Sequence, residues 1–325
     1  MVLADPASSE ALGLPPAVAE LFEAKREAAR RQLPELRSQL EQSGSAAAWY
    51  TDETLIRFLE NNVVVKNMEV RRVSIKHAAE QLGSTVKWRT DLCLDADPPS
   101  YCSCETCDRE PYAHCFFSVG RDKRGWEVTY TSPGRTTAKD YRSIEAHFIA
   151  FLEATFNPER QKQQPPPTHL CICVDLHGFG LGDLDPRVAV RCIKLILNHY
   201  PDRVGQVAFL DAPWIFKAIW DLCKTVLDPA MQQKATMLRG DAMAAYFDRF
   251  FTPDQRQFMD GMLCTRARPN RAAFVPVTTR VRKSLGACDA FTRESRRLED
   301  AAAAAAAECV EIPAETQVET KSFQA

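Results

Sequence analysis

The sequence predicts an α/β protein in which an N-terminal helical bundle precedes a mixed β-sheet flanked by helices. Three patterns predict it. Apolar residues recur at helical spacing through residues 17–90. Residues 170–176 are nearly all apolar, which suits a strand buried on both faces. Beyond them, strand-like runs at 207–210 and 235–238 alternate with helical stretches at 188–197, 214–226 and 241–250, the order of a sheet with parallel members and helices packed on it.

In chain order, residues 1–16 are rich in alanine and proline and read as disordered. Residues 17–41 form a helix on Leu21, Phe22, Leu33, Leu36 and Leu40, which Pro34 should kink or split for want of an N–H. Ser43-Gly44-Ser45 is a break. Asp52 is the expected N-cap of a helix with Leu55, Ile56 and Leu59 on one face, stopped by Asn61-Asn62. A longer helix is expected from Met68 to Arg89 on Val70, Val73, His77, Leu82 and Val86. Residues 91–115 are polar and hold five cysteines. Residues 115–119 and 126–130 read as a hairpin around the turn Asp122-Lys123-Arg124-Gly125. Residues 140–156 form an amphipathic helix on Ile144, Phe148, Phe151, Leu152 and Phe156, with His147 a structural residue within it. A proline-rich linker follows at 161–167. The expected organisation is therefore a disordered 1–16, a helical module at 17–90, a Cys-rich insert at 91–115, an α/β domain at 116–263 and a largely disordered tail at 264–325.

Composition excludes several classes. At 325 residues and 45% hydrophobic content, the chain buries a core without help from metals or disulfides. With 41 basic and 43 acidic residues it is not a bulk nucleic-acid binder. No apolar run approaches the ~18 residues of a membrane span. The first ten residues lack the basic and apolar regions of a secretory signal, so the twelve cysteines read as cytosolic thiols or metal ligands, and a cytoplasmic protein is expected. The end is uneven: residues 264–297 carry nine basic against two acidic residues, and 298–325 six acidic residues and Lys321. The basic stretch either attracts anionic headgroups, at ~1 kcal/mol per residue near a membrane, or is a linker partly neutralised by the acidic tail.

Four segments sharpen this reading. They are Asp52-Glu53-Thr54-Leu55-Ile56-Arg57-Phe58-Leu59 with Lys87-Trp88-Arg89, Gly120-Arg121-Asp122-Lys123-Arg124-Gly125-Trp126-Glu127-Val128, Val174-Asp175-Leu176-His177-Gly178, and Tyr200-Pro201-Asp202-Arg203-Val204-Gly205 followed by Ala212-Pro213 and Leu227-Asp228-Pro229. In this order and spacing, over roughly residues 50–260, the chain resembles the CRAL-TRIO lipid-binding family, which includes phosphatidylinositol and phosphatidylcholine transfer proteins. The resemblance implies a hydrophobic pocket floored by the mixed sheet and closed by a mobile helix. It implies one bound lipid, transient peripheral contact with membranes, no catalysed reaction, no catalytic residue and no required cofactor, in a monomer.

By order, residues 214–226 match the family's gate helix. Trp214, Ile215, Phe216, Ile219, Trp220, Leu222 and Val226 wrap much of it, so it is either a core helix buried on two sides or one that faces lipid, with Phe209 on the strand before it. A pocket worth ~0.8 kcal/mol per buried methylene competes with a bilayer for an acyl chain. The resemblance also implies that Asp202, with Arg203 beside it, and Lys234 support a phosphatidylinositol headgroup. The alternative is an Asp202–Arg203 ion pair and a solvated Lys234. Leu170 and Ile172 stand where the family's choline-lipid binders carry hydroxyls, which argues against that site and admits an apolar tocopherol- or retinoid-like ligand. Trp126-Glu127 replaces an Arg-Pro pair, Asp211 an asparagine, and Phe250-Phe251-Thr252-Pro253-Asp254 lacks the usual Gly-Gly ending.

The cysteine cluster has three readings. Cys104-x-x-Cys107 has metal-knuckle spacing, Cys102 adds a thiol, and Cys115 or His114 closes a zinc set, with Cys93 as an alternate. Free loop thiols and a redox pair are the others. Cys171 and Cys173 read as small core residues. Among rival functions, Gly178-x-Gly180-x-Gly182 lacks the third glycine of a dinucleotide loop at Asp183, and no nucleophile elbow, zinc-protease or phosphate-loop motif is present. A membrane-associated interaction protein with a Cys-rich loop and a degenerate pocket is the remaining alternative.

Overall fold

The computed structural model describes residues 16–42, 51–95, 104–110, 113–156, 167–183 and 185–264. The expected disorder before residue 16, the break at 43–45, most of the 161–167 linker, Cys102 and the charged tail beyond 264 lie outside the described residues.

Helix α1, Pro16–Gln42, begins on a proline, whose missing N–H is harmless in a first turn. Contrary to the sequence expectation, Pro34 does not split it. Leu36 and Leu40, beyond the proline, are buried in one cluster with Ala29 before it, and that burial offsets the ~3 kcal/mol an interior proline costs. Helix α2, Asp52–Asn61, is capped by Thr51 rather than Asp52: the Thr51 side chain accepts from the Thr54 amide. A hairpin then stands where part of a helix was predicted. Strands β1, Val63–Lys66, and β2, Glu69–Val73, pair antiparallel. Asn67 and Met68 turn it at φ 54° and 60°, two successive positive values that an asparagine helps to accommodate. Helix α3, Ile75–Asp91, completes the unit. Leu55, Phe58, Leu59, Ala78 and Leu82 form its core with α1.

The second part holds helix α4, Glu105–Arg109, strands β3, Phe116–Arg121, and β4, Glu127–Thr131, and helix α5, Tyr141–Phe156. Strand β5, Leu170–Asp175, helix α6, Pro186–His199, strand β6, Val204–Leu210, and helix α7, Phe216–Lys224, follow. Helix α8, Pro229–Gln232, strand β7, Ala235–Leu238, and helices α9, Gly240–Phe250, and α10, Pro253–Cys264, end it. The five strands lie in the order β3-β4-β5-β6-β7. β3 and β4 are antiparallel and the remaining pairs parallel, so the expected mixed sheet is present.

Side chains alternate across β5. Leu170, Ile172 and Val174 pack with α5, α6 and α7. On the other face the Cys171 sulfur lies 3.3 Å from the Tyr246 hydroxyl of α9. The helical unit is seated on the C-terminus of α6, whose last carbonyls have no partner within the helix. Gln81 Nε2 donates to the carbonyls of Leu197, at 2.8 Å, and Asn198, at 2.9 Å. The Trp88 and His199 rings stack at 4.1 Å. Below them the Arg89 guanidinium donates to both carboxylate oxygens of Glu153 at 2.8 and 3.1 Å, and the Tyr200 hydroxyl donates to the same carboxylate. No described helix is long and apolar enough to cross a membrane.

Candidate functional site

Parallel pairing of β5, β6 and β7 aligns their N-terminal ends, so the residues just before each strand fall together: His169, Asp202 with Arg203, and Lys234. Asp202 adopts φ 53° in the tight turn after Tyr200-Pro201. Lys234 Nζ donates to Asp202 Oδ1 at 3.1 Å and to the Val204 carbonyl at 2.8 Å. His169 Nε2 lies 3.7 Å from Asp202 Oδ2. The helical unit closes the cluster from above. Arg57 Nη1 donates to the Asp202 carbonyl at 2.7 Å and lies 3.4 Å from Oδ2. Phe22 of α1 places its ring 4.5 Å from Lys234 Nζ.

The alternative of an Asp202–Arg203 ion pair with a solvated Lys234 needs correcting. Asp202 pairs with Lys234 and Arg57 rather than Arg203. Lys234 is not solvated but 4% exposed. Arg203 lies over the Phe156 ring at 4.4 Å and reaches the Thr168 carbonyl at 3.4 Å; it forms no carboxylate pair among the described residues.

The electrostatics are uneven. Burial works to raise the Asp202 carboxyl, yet Lys234, His169 and Arg57 together hold it well below the ordinary range. Burial first, then the Asp202 charge, push Glu60 of α2 up to about 7, and its Oε2 is buried without a hydrogen-bond partner. Burial, then repulsion by Arg57, draw Arg203 down to about 9. Burial likewise lowers Lys25 of α1, which Asp228, Asp202 and Glu60 partly support. The cations Lys25, Arg26, Arg57, Arg203 and Lys234 thus gather around four carboxylates, Glu53, Glu60, Asp202 and Asp228. Arg57, Lys25 and Glu60 were missed as site residues. Arg57 had a signal, since it stands in the Asp52–Leu59 segment already singled out.

At the opposite end of the sheet lies an apolar cluster. Phe216, Ile219 and Cys223 bury one face of α7 against Leu176, Phe179 and Phe209. Phe209 is 4.8 Å from Phe216 and 5.5 Å from Trp220, ring to ring. Helix α7 is less apolar all round than its sequence suggests, because Asp221 pairs with Lys217 and Lys224 on its outer side. Trp214 stands in the turn before the helix and is 85% exposed; Leu222 and Met237 are exposed as well. The Asp211 amide donates to the Leu238 carbonyl at 3.0 Å, which ties this turn to the end of β7.

A second group of side chains lies apart from both clusters. The ligating atoms of Cys104, Cys107, His114 and His147 all fall within 4.8 Å of one another. His147, read from sequence as structural, takes a place given there to Cys102 or Cys115. Cys102 lies outside the described residues. Cys115 follows His114 at φ 42° and is not in the group; burial pushes its thiol up to about 12 beside Arg135 and the Ser132 backbone. Cys93 is also elsewhere.

Phosphatidylinositol transfer protein CSR1 of Eremothecium gossypii is 29% identical over 136 residues, which are 42% of this chain and 30% of that protein. A CRAL-TRIO domain-containing protein of Schizosaccharomyces pombe is 23% identical over 188 residues, 55% of this chain and 41% of its own. The chain therefore spans less than half the length of either relative. The crystal structure of Sfh5 superposes with a TM-score of 0.40 and 15% identity, over 51% of this chain and 61% of that one. Residues 112–260, which hold the whole mixed sheet, match the family described as CRAL/TRIO domain.

Proposed function

We propose that the chain binds one membrane lipid in its CRAL/TRIO domain and carries it, chemically unchanged, between membranes as a monomer in the cytoplasm. The observation that carries this is the separation of two complementary ends on one sheet. Five cations around four carboxylates stand at the N-terminal ends of the strands, and the apolar α7 cluster stands at the C-terminal ends. The seven residues of β6 span the gap, about 20 Å at ~3.3 Å per residue, compared with ~15 Å for one leaflet of a bilayer's hydrocarbon core. A lipid lying along the sheet would present an anionic headgroup to Arg203 and Lys234, with Asp202 holding Lys234 in place, and its chains to Phe209, Phe216, Ile219 and Trp220. Trp214 would enter the membrane first, and α7 would swing open on the turn before it. The name of the Eremothecium gossypii relative supports phosphatidylinositol as the headgroup class.

Native mass spectrometry of the full chain, after incubation with phosphatidylcholine vesicles containing either phosphatidylinositol or tocopherol, tests this. A one-to-one phosphatidylinositol adduct is expected. Arg203→Gln should reduce that adduct at least tenfold, the equivalent of ~1.4 kcal/mol. Tocopherol uptake alone would replace the phosphoinositide by a neutral lipophile. A chain that stays bare in both would overturn the proposal in favour of an interaction protein with a filled pocket.

A further inference from the structure

Helix α4 is out of keeping with the rest of the fold. It has five residues and buries none of them. A helix of that length is far too short to persist by itself, and it has no apolar face to hold it. Its N-cap is Cys104, and Cys107 lies one turn on, so both thiols project from the same side. There they meet two imidazoles from other parts of the chain. His114 Nδ1 lies 3.5 Å from Cys104 Sγ and 3.3 Å from Cys107 Sγ. His147 Nδ1, from α5, lies 3.4 Å from Cys107 Sγ.

These separations are those of a coordination shell. Zn–S bonds of ~2.3 Å and Zn–N bonds of ~2.0–2.1 Å at tetrahedral angles put sulfur and nitrogen about 3.6 Å apart. The outer ring nitrogen of His114 is also fixed: Nε2 is 3.0 Å from Ser143 Oγ, which is 2.8 Å from Thr106 Oγ1. An imidazole held through its far nitrogen by a neighbouring side chain is the usual support of a metal ligand. Ser143 and His147 are four residues apart on α5 and so share its face.

We propose that Cys104, Cys107, His114 and His147 bind one Zn²⁺ as a closed structural site. Each thiol gives up its proton as the metal enters, so two protons leave, and two thiolates with two neutral imidazoles balance the ion's charge. Four protein ligands leave no open position, so the ion ties rather than reacts. It ties α4 and the segment entering β3 to α5, the helix that packs Phe148, Leu152 and Phe156 on the sheet. A Cys104–Cys107 redox pair would use the same sulfurs but gives no part to the two histidines.

The test uses the full chain purified without chelator, with metal content measured by plasma mass spectrometry. One zinc per chain is expected, lost to a strong chelator and regained from zinc salt. Cobalt added to the metal-free chain should give thiolate charge-transfer absorption and tetrahedral visible bands. Cys107→Ser and His147→Asn should each lower retained zinc at least tenfold, whereas Cys115→Ser should keep it. If a ligand variant does not fold, the cobalt spectrum of the unaltered chain decides alone. Less than a tenth of an equivalent after zinc loading, octahedral cobalt bands, or full retention in both ligand variants would overturn the proposal.

Discussion

Glu60 shows how one carboxyl makes this fold sensitive to pH. Its folded value of about 7 lies above the 4.5 of an exposed glutamate. Below pH ~4.5 the group is protonated in both states and contributes nothing to the difference. As pH rises from there through ~7, ionising it in the folded state becomes a growing penalty, complete above that value. Glu60→Gln should therefore leave stability unchanged at pH 4 and raise it at pH 8, by on the order of 1–3 kcal/mol. Thermal unfolding at the two pH values checks this; lower stability of the variant at pH 8 would mean that the Arg26 contact at 3.5 Å outweighs burial. Gly205 is a second residue whose identity is dictated. A Cβ there would meet the Trp126 ring at 2.5 Å. Trp126 is a departure from the family's hairpin, and the bare backbone of Gly205 is what accommodates it. Arg124 then stacks between Trp126, at 4.0 Å, and Phe250, at 4.2 Å.

At the scale of elements, the sequence spoke clearly where one period dominated. The run at 170–176, the strand at 235–238 and the helix at 141–156 are read within a residue or two, because burial imposes a single spacing. It misled at 63–73, where Val70 and Val73 fit a helical period by coincidence while Val63-Val64-Val65 and the Asn67-Met68 turn set a hairpin. It misled again at Pro34, because a local rule cannot see that Leu36 and Leu40 have a core to enter. The join between α3 and α5 rests on a contact invisible in sequence, the Arg89–Glu153 pair, 9% and 2% exposed. Glu153→Ala takes from Arg89 its buried counter-charge and should cost ~3 kcal/mol. The check is a lower urea midpoint with unchanged slope; a loss under ~0.5 kcal/mol would show that Asp95 suffices.

For the molecule as a whole, the family resemblance was legible because its motifs stand in order and at their spacing within residues 112–260. The partners inside the basic cluster were not. Which cation Asp202 holds depends on how α1 and α2 sit over the strand ends, and no spacing along the chain reports that. Likewise His147 is 40 residues from Cys107 in sequence, yet the two ring and sulfur atoms lie 3.4 Å apart. The exposed end of the molecule gives a further prediction. Trp214 is 85% exposed, so Trp214→Ser should leave the melting temperature unchanged. It should weaken partition onto vesicles about tenfold or more, in line with the ~1.5–3 kcal/mol gained by burying a large apolar side chain. Vesicle sedimentation measures it, and unchanged binding would move membrane contact to another face.

Arg57 and Trp88 precede residue 112, where the family match begins, yet both are seated on the domain that the match defines. A chain cut at that limit would keep Asp202 without Arg57, bare the His199 ring, and return the Leu197 and Asn198 carbonyls to water. It would also lose Leu94 from the cluster that holds Phe148 and Leu152. Heredity and cooperativity therefore draw different borders on this polypeptide. The stretch by which the lineage is recognised shares its core and its ion pairs with residues outside it.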